Sequence, residues 1–198
     1  MKKAVYFLMA SILVIGIFTG CSFKADKTKE NKKIYRSVEE IKKSGKVKIG
    51  VFTDKNPFGY VDENGRYRGY DVYFAERIAK DLGVEAEYVA TDPASRVEYL
   101  ESGKVDIILA NFTVTDERAE KVDFALPYMK VSLGVVSPDK ALIKTPNDLK
   151  GKTLIVAKGT TAETYFSENY PDVKLLKFDQ YTDCLLYTSP SPRDSTSS

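Results

Sequence analysis

Between residues 46 and 110 the spacing of apolar side chains switches repeatedly between strand period and helix period, and this alternation leaves few folds open. KVKIGVF (46–52) reads as a strand. From Asp71, the apolar residues Val72, Ala75, Ile78, Ala79 and Leu82 fall on one helical face, and Gly83 suits the left-handed position just past its end. VEAEYVAT (84–91) is a second strand, and a short helix carrying Val97 and Leu100 ends at Gly103. VDIILA (105–110) is a third strand, apolar throughout as a strand covered on both faces should be. Strand, helix, strand, helix, strand implies a parallel sheet with right-handed crossovers and helices on both faces, an α/β fold.

Around this core, Ser37-Val38-Glu39-Glu40 is a capping box opening a short helix that ends near Gly45, and Asn64-Gly65 marks a hairpin turn. A second set begins near Val131. VSLGVV (131–136) reads as a strand, Thr145-Pro146 as a helix start with proline at its first position, TLIVAKG (153–159) as a strand, Thr161 as the next helix start and VKLLKF (173–178) as a strand. Two α/β lobes are expected, residues 37–130 and 131–183, the second incomplete.

Hydrophobic residues make up 43% of the chain and charged residues 29%, enough for a packed core. A formal net charge of +2 gives no electrostatic argument for nucleic acid. The chain has no histidine, which removes Ser-His-Asp and Cys-His catalysis and histidine-containing zinc sites.

The ends read differently from the middle. Met1-Lys2-Lys3 is basic, residues 4–18 are almost wholly apolar, and Phe18-Thr19-Gly20-Cys21 resembles the lipobox of a bacterial lipoprotein signal, with phenylalanine where leucine is commoner. On that reading residues 1–20 are removed and Cys21 carries the lipid, anchoring the chain to the membrane surface. A plain secretory signal or an uncleaved anchor is the alternative. Residues 21–36, rich in lysine and poor in apolar side chains, read as a lipidated tether. CLLYTSPSPRD, within 184–198, resembles an in-frame translation of a sequencing-library adapter, so the natural sequence is expected to end near Asp183 and the two cysteines imply no disulfide.

Ligands of open α/β sheets sit beyond the carboxyl ends of the strands. DKNPFGY (54–60), NFTVTDER (111–118) and KGTTAE (158–163) lie there. In NFTVTDER, Thr113 and Thr115 precede a helix start whose N–H groups attract anions, and Arg118 can add a bidentate fork for a carboxylate. The carbonyls of Ala110 and Asn111 suit an ammonium. One patch thus matches both halves of an α-amino acid. The competing reading makes Thr113 a helix cap and Arg118 a surface ion-pair partner. KGTTAE repeats the arrangement, with Gly159 allowing close backbone approach and Thr161 beginning the helix; there too a simple cap is the alternative.

GYDVYFAERIAKDLG, SGKVDIILANFTVTDERAEKVDFALPYM and KGKTLIVAKGTTAE resemble the solute-binding proteins of polar amino acid ABC transporters, the bacterial extracellular family 3, over roughly residues 37–183. Tyr73 departs from the acid usual in that helix. The cysteine-binding lipoproteins are the most similar group, with aspartate/glutamate-binding ones near them. The resemblance implies a type II periplasmic-binding-protein fold, two Rossmann-like lobes closing on one amino acid. It places Arg118 on the α-carboxylate, with backbone at Thr113 and Thr161, and gives the ammonium to the Asn111 carbonyl and the Thr113 hydroxyl. The aspartate with which such proteins neutralise the ammonium would lie beyond residue 183. Lys55 and Arg96 match positions that face the ligand's side chain, although each can equally be an ordinary solvated charge. Phe58 and Tyr60 are candidate cleft walls, Tyr128 a structural residue near the lobe boundary, and 127–131 the hinge.

The resemblance also implies a monomeric, lipid-anchored extracytoplasmic protein. It would carry cysteine, cystine or an acidic or polar amino acid to an ABC permease, with no catalysis, metal or cofactor. An enzyme of the cyclohexadienyl dehydratase kind, or a sensor ectodomain, is the other reading of the same fold.

Overall fold

The computed structural model describes residues 35–138 and 141–188. The signal segment, Cys21 and the tether up to residue 34 lie outside the described residues, as do 189–198 of the adapter-like tail.

The chain enters through helix α1 (Val38–Ser44), held by the expected capping box: the Ser37 hydroxyl accepts the Glu40 N–H, and the Glu40 carboxylate accepts the Ser37 N–H at 2.6 Å. Strand β1 (Lys46–Val51) follows and forms the spine of the larger sheet. A three-stranded antiparallel ribbon comes next, β2 (Asp54–Lys55), β3 (Gly59–Val61) and β4 (Tyr67–Arg68), with Asp54 opposite Tyr60 and Lys55 opposite Gly59. Helix α2 (Tyr70–Leu82) then crosses back. It ends as its sequence requires: Gly83 at φ 73° donates to the Lys80 carbonyl and Val84 to the Ala79 carbonyl, the paired bonds of a Schellman turn. Strand β5 (Glu85–Ala90) runs parallel to β1 from the Lys46–Glu85 pair to the Val51–Ala90 pair. Helix α3 (Arg96–Glu101) leads to β6 (Ile107–Ile108), parallel to the other edge of β1.

The sheet order is β5-β1-β6, all parallel, with β1 in the middle. Val47, Ile49 and Val51 are fully buried, with Val72, Ala75 and Ala79 of α2 packed in the same cluster. Each of the three strand side chains contributes ~2 kcal/mol by leaving water.

After the short helix α4 (Asp116–Ala119), a 3-10 turn (Pro146–Leu149) precedes β7 (Thr153–Ala157), helix α5 (Thr161–Asn169), β8 (Lys174–Phe178) and helix α6 (Tyr181–Thr188). Strands β7 and β8 form a separate parallel pair over a smaller core of Leu149, Phe166 and Val173. Helix α6 runs through Asp183 into the stretch read as adapter-like.

Three expected elements come out differently. VSLGVV is no strand: residues 131–136 join no ladder, and Val136 is 99% exposed. A strand needs a neighbour to satisfy its backbone, and among the described residues no strand lies beyond β6 to supply one. The third strand is shorter than 105–110. The regular pairing covers Ile107 and Ile108, although ladder-like bonds from Asp106 to Lys48 and from Leu109 to Gly50 extend it at both ends. The helix at Thr145-Pro146 is a single 3-10 turn, fixed because the Asp148 carboxylate accepts the Lys144 and Thr145 N–H groups.

No helix among the described residues is long and apolar enough to cross a membrane.

Candidate functional site

The carboxyl ends of β1, β6 and β7 deliver Phe52, Ala110–Asn111 and Lys158–Gly159, the three places named from sequence. Asn111 leaves its strand with φ 43°, a left-handed turn that is uncommon for a side-chain-bearing residue. That turn lets Asn111 serve as a hub. Its N–H donates to Asp71 Oδ2 at 2.9 Å, its Oδ1 accepts Lys55 Nζ at 2.7 Å, its carbonyl accepts Arg96 Nη1 at 3.2 Å, and its Nδ2 reaches the Met129 sulfur at 3.4 Å.

Arg96 stands at the first position of α3 and is 3% exposed. All its hydrogen bonds end on carbonyls: Pro93 at 2.9 Å, Ala110 at 3.0 Å, Asn111, and Gly159 at 2.9 Å. The Ala110 and Asn111 carbonyls, expected to face an ammonium, therefore both accept from Arg96, each keeping a second lone pair. Arg118 is half-buried. Its backbone N–H is capped by the Thr115 hydroxyl, while its guanidinium donates to the Thr113 carbonyl at 2.7 Å and to the Gly159 carbonyl at 2.9 Å. The ring of Phe112 lies 4.5 Å from the Arg96 guanidinium carbon and 4.8 Å from that of Arg118, close enough for cation–π attraction to both.

Lys55 Nζ also donates to the Tyr181 hydroxyl at 2.9 Å and lies 5.4 Å from the ring centres of Phe52 and Phe58. Burial, with the Arg96 charge second, lowers Lys55 to about 8. Burial, with the Arg118 charge second, lowers Arg96 to about 10, which leaves it charged at neutral pH. Burial lowers Arg118 as well.

Among the described residues, none of these three cations forms a salt bridge with a carboxylate. Their hydrogen bonds terminate on neutral carbonyl, amide and hydroxyl oxygens. Asp71 and Asp54 lie near enough to Lys55 to raise its proton affinity, yet burial outweighs them. Positive charge taken out of water without a paired anion is costly, and a bound anion relieves the cost.

Gly159 joins the two halves. Its carbonyl accepts from both arginines and its N–H donates to Glu163 Oε2 at 2.6 Å. At φ 70°, a Cβ there would sit 2.5 Å from the Ala94 Cα, so only glycine fits without displacement. The cap of α5 is Thr160, whose hydroxyl accepts the Glu163 N–H, and Thr161 is the first helical residue. The N–H groups of Thr161 and Ala162 are those that intrahelical bonding leaves over.

The sequence thus named Lys55, Arg96, Ala110, Asn111, Thr113 and Arg118, and the structure links them through shared hydrogen-bond partners, Asn111 joining Lys55 to Arg96 and Gly159 joining Arg96 to Arg118. Tyr60 takes no part in the bonds joining the cations; it pairs with Asp54 across the ribbon. Three contributors were missed. Asp71 was named only as the residue where the helical spacing begins, Phe112 as part of the stretch after the third strand, and Tyr181 fell beside the tail where periodicity stops.

Residues 47–174 match the sequence profile of the bacterial extracellular solute-binding proteins, family 3. A solved solute receptor for L-cysteine from Neisseria gonorrhoeae is 57% identical, covers 76% of this chain and superposes with a TM-score of 0.74. A cysteine-binding protein from Campylobacter jejuni is 55% identical over 75% of the chain, with a TM-score of 0.73. The ABC transporter glutamine-binding protein GlnH of Bacillus subtilis is 30% identical over 92% of the chain. The chain spans 62% and 61% of the two solved structures and 69% of GlnH. With the profile covering most of the described fold and both superpositions close, the chain belongs to the bacterial extracellular solute-binding proteins of family 3, on the type II periplasmic-binding-protein fold.

Proposed function

We propose that this protein captures a free amino acid outside the cell membrane and presents it to an ABC permease, and that its ligand is cysteine. The observation that carries this is the chain of three cations, Lys55, Arg96 and Arg118, joined through Asn111 and Gly159 with no carboxylate bonded to any of them among the described residues. Arg118, bridging Thr113 to Gly159, would take the α-carboxylate, aided by the N–H groups at Thr161. The Thr113 hydroxyl and the remaining lone pairs at Ala110 and Asn111 would hold the ammonium. Lys55, ringed by Phe52, Phe58 and Tyr181, would meet the side chain: a polarisable thiol suits aromatic faces and a cation together. The relatives above 50% identity are described as binding cysteine, whereas glutamine is named at 30%.

On this reading the protein is not an enzyme. Cys21 carries a lipid anchor, the protein works as a monomer, and closure of the two lobes about residues 127–131 signals occupancy to the permease.

Calorimetric titration with the twenty amino acids, cysteine under reducing conditions, tests the reading. Tight binding of L-cysteine, lost at least a hundredfold in Arg118→Ala, is expected from removal of one partner of a buried charge pair. Heat with none of them, or unimpaired binding by Arg118→Ala, would refute it.

A further inference from the structure

We propose that Asp71 is the positioning residue of the site: its carboxylate holds Asn111 in the left-handed turn on which Lys55 and Arg96 rest, and ties that turn to Tyr128. The inference rests on the function proposed above and adds to it a residue that never meets the ligand. Asp71 is fully buried at the start of α2. Its two oxygens serve two distant segments, Oδ2 accepting the Asn111 N–H at 2.9 Å and Oδ1 the Tyr128 hydroxyl at 2.7 Å.

Asparagine enters the left-handed region more readily than other side-chain-bearing residues, but φ 43° is still the minority conformation, and a bond to the Asn111 N–H selects it. A charge-assisted bond to its own N–H does so without occupying its other groups. Turned this way, Asn111 gives its Oδ1 to Lys55 and its carbonyl to Arg96. Released, the backbone would relax toward φ below zero, and both acceptors would swing away. Burial pushes the Asp71 carboxyl up, while Tyr128, Asn111, Lys55 and Arg96 all favour its charged form.

The second oxygen gives the arrangement reach. Tyr128 packs on Phe74 with ring centres 5.0 Å apart, and its carbonyl accepts the Tyr70 hydroxyl at 3.1 Å. Met129, the next residue, receives the Asn111 amide. The segment leaving the first lobe is therefore fastened to the same carboxylate that orients the cleft, so a shift at Tyr128 is felt at Asn111.

Two variants of the full chain, labelled for NMR and titrated with L-cysteine, test this. Asp71→Asn has the near-identical shape but leaves at best a neutral carbonyl on the Asn111 N–H in place of the charge-assisted bond, since the Tyr128 hydroxyl can turn to accept the new amide. It is expected to move the Asn111 amide proton upfield, change the Lys55 ammonium titration, and weaken cysteine at least tenfold, the loss of a hydrogen bond to a charged group. Tyr128→Phe leaves the Asn111 contact in place and is expected to lower thermal stability while holding the Asn111 resonance and keeping affinity within about twofold. An unmoved Asn111 resonance or unchanged affinity in a folded Asp71→Asn overturns the proposal. Should that variant not fold, Tyr128→Phe decides, because loss of affinity there would assign the role to packing. If the wild-type chain binds no amino acid, the proposed function falls, while the Asn111 resonance still decides the role of Asp71.

Discussion

Arg96 and Arg118 both donate to the carbonyl of Gly159, each at 2.9 Å, from 63 and 41 residues away in sequence. One neutral oxygen thus closes the gap between the larger sheet and the β7–β8 pair by standing where two cations converge. On the proposed function, a ligand carboxylate would offer the same geometry with a full negative charge and would compete with that oxygen for Arg118. Gly159→Ala places a methyl group against Ala94 at a φ that disfavours side chains. We expect it to cost about 1–3 kcal/mol of stability in urea unfolding and to loosen the arginine contacts. A variant as stable as wild type would show that the loop can shift freely and that the contact is incidental.

The two arginines should separate by role. Arg96 is 3% exposed and satisfies four carbonyls, so Arg96→Met strands buried acceptors and is expected to destabilise the fold by about 3 kcal/mol. Arg118 is half-buried with two carbonyl partners. Arg118→Lys should retain the fold and lose mainly affinity, because an ammonium cannot present the planar fork. Thermal melting and calorimetry on both variants check the split; equal losses of stability would contradict it.

How far the sequence foretold the fold and the site depends on which atoms carry the signal. The helix at 70–82 was legible because its apolar residues repeat at helical spacing and Gly83 marks its end, and β1, β5, β7 and β8 because short apolar runs are bounded by turns. Arg118 could be named because a guanidinium follows a strand end and a helix start where a carboxylate would fit, whereas Lys55 and Arg96 were named through the family resemblance alone. Gly159 was expected to allow close approach, but its carbonyl as a shared acceptor has no sequence signature, since every residue has one. Asp71 was not legible because its partners lie 40 and 57 residues away, and an acid in the first turn of a helix is ordinary by itself. VSLGVV has good strand composition, but composition cannot say whether a neighbouring strand is present to pair with it.

Lys55 sets a pH dependence with opposite signs for folding and for binding. Its value of about 8 lies below the ordinary 10.5 because burial, then Arg96, disfavours the charged form. Between those values the unfolded chain holds a proton that the folded chain has lost, so Lys55's contribution to stability rises with pH across that window and is flat below it. The negative charge that a ligand's α-carboxylate would bring to the site favours the protonated amine, so affinity should be greatest below about pH 8 and fall above it. Near pH 8.5, calorimetry in buffers of different ionisation heat should show more proton uptake for wild type than for Lys55→Met. Identical uptake in the two would remove Lys55 from the ligand's surroundings.

The strip beyond the first lobe predicts behaviour unrelated to the ligand. Leu126, Leu133 and Val136 are 92%, 58% and 99% exposed. A groove of about 860 Å³, lined by Ile107, Ile108, Phe112, Phe124, Leu126 and Val131 among others, lies along the free side of β6. Apolar surface beside a strand edge that no other strand pairs among the described residues favours association with any further apolar segment. The protein should therefore bind a hydrophobic dye while folded and associate as its concentration rises. Leu126→Lys together with Val136→Lys should suppress both effects, because charge at an exposed edge opposes pairing, and should leave cysteine affinity within about twofold, since neither side chain takes part in the hydrogen bonds of Lys55, Arg96 or Arg118. Dye fluorescence and light scattering measure the first, calorimetry the second. Undiminished association in the double variant would place the adhesive surface elsewhere, and lost affinity would mean that this strip reaches the cleft.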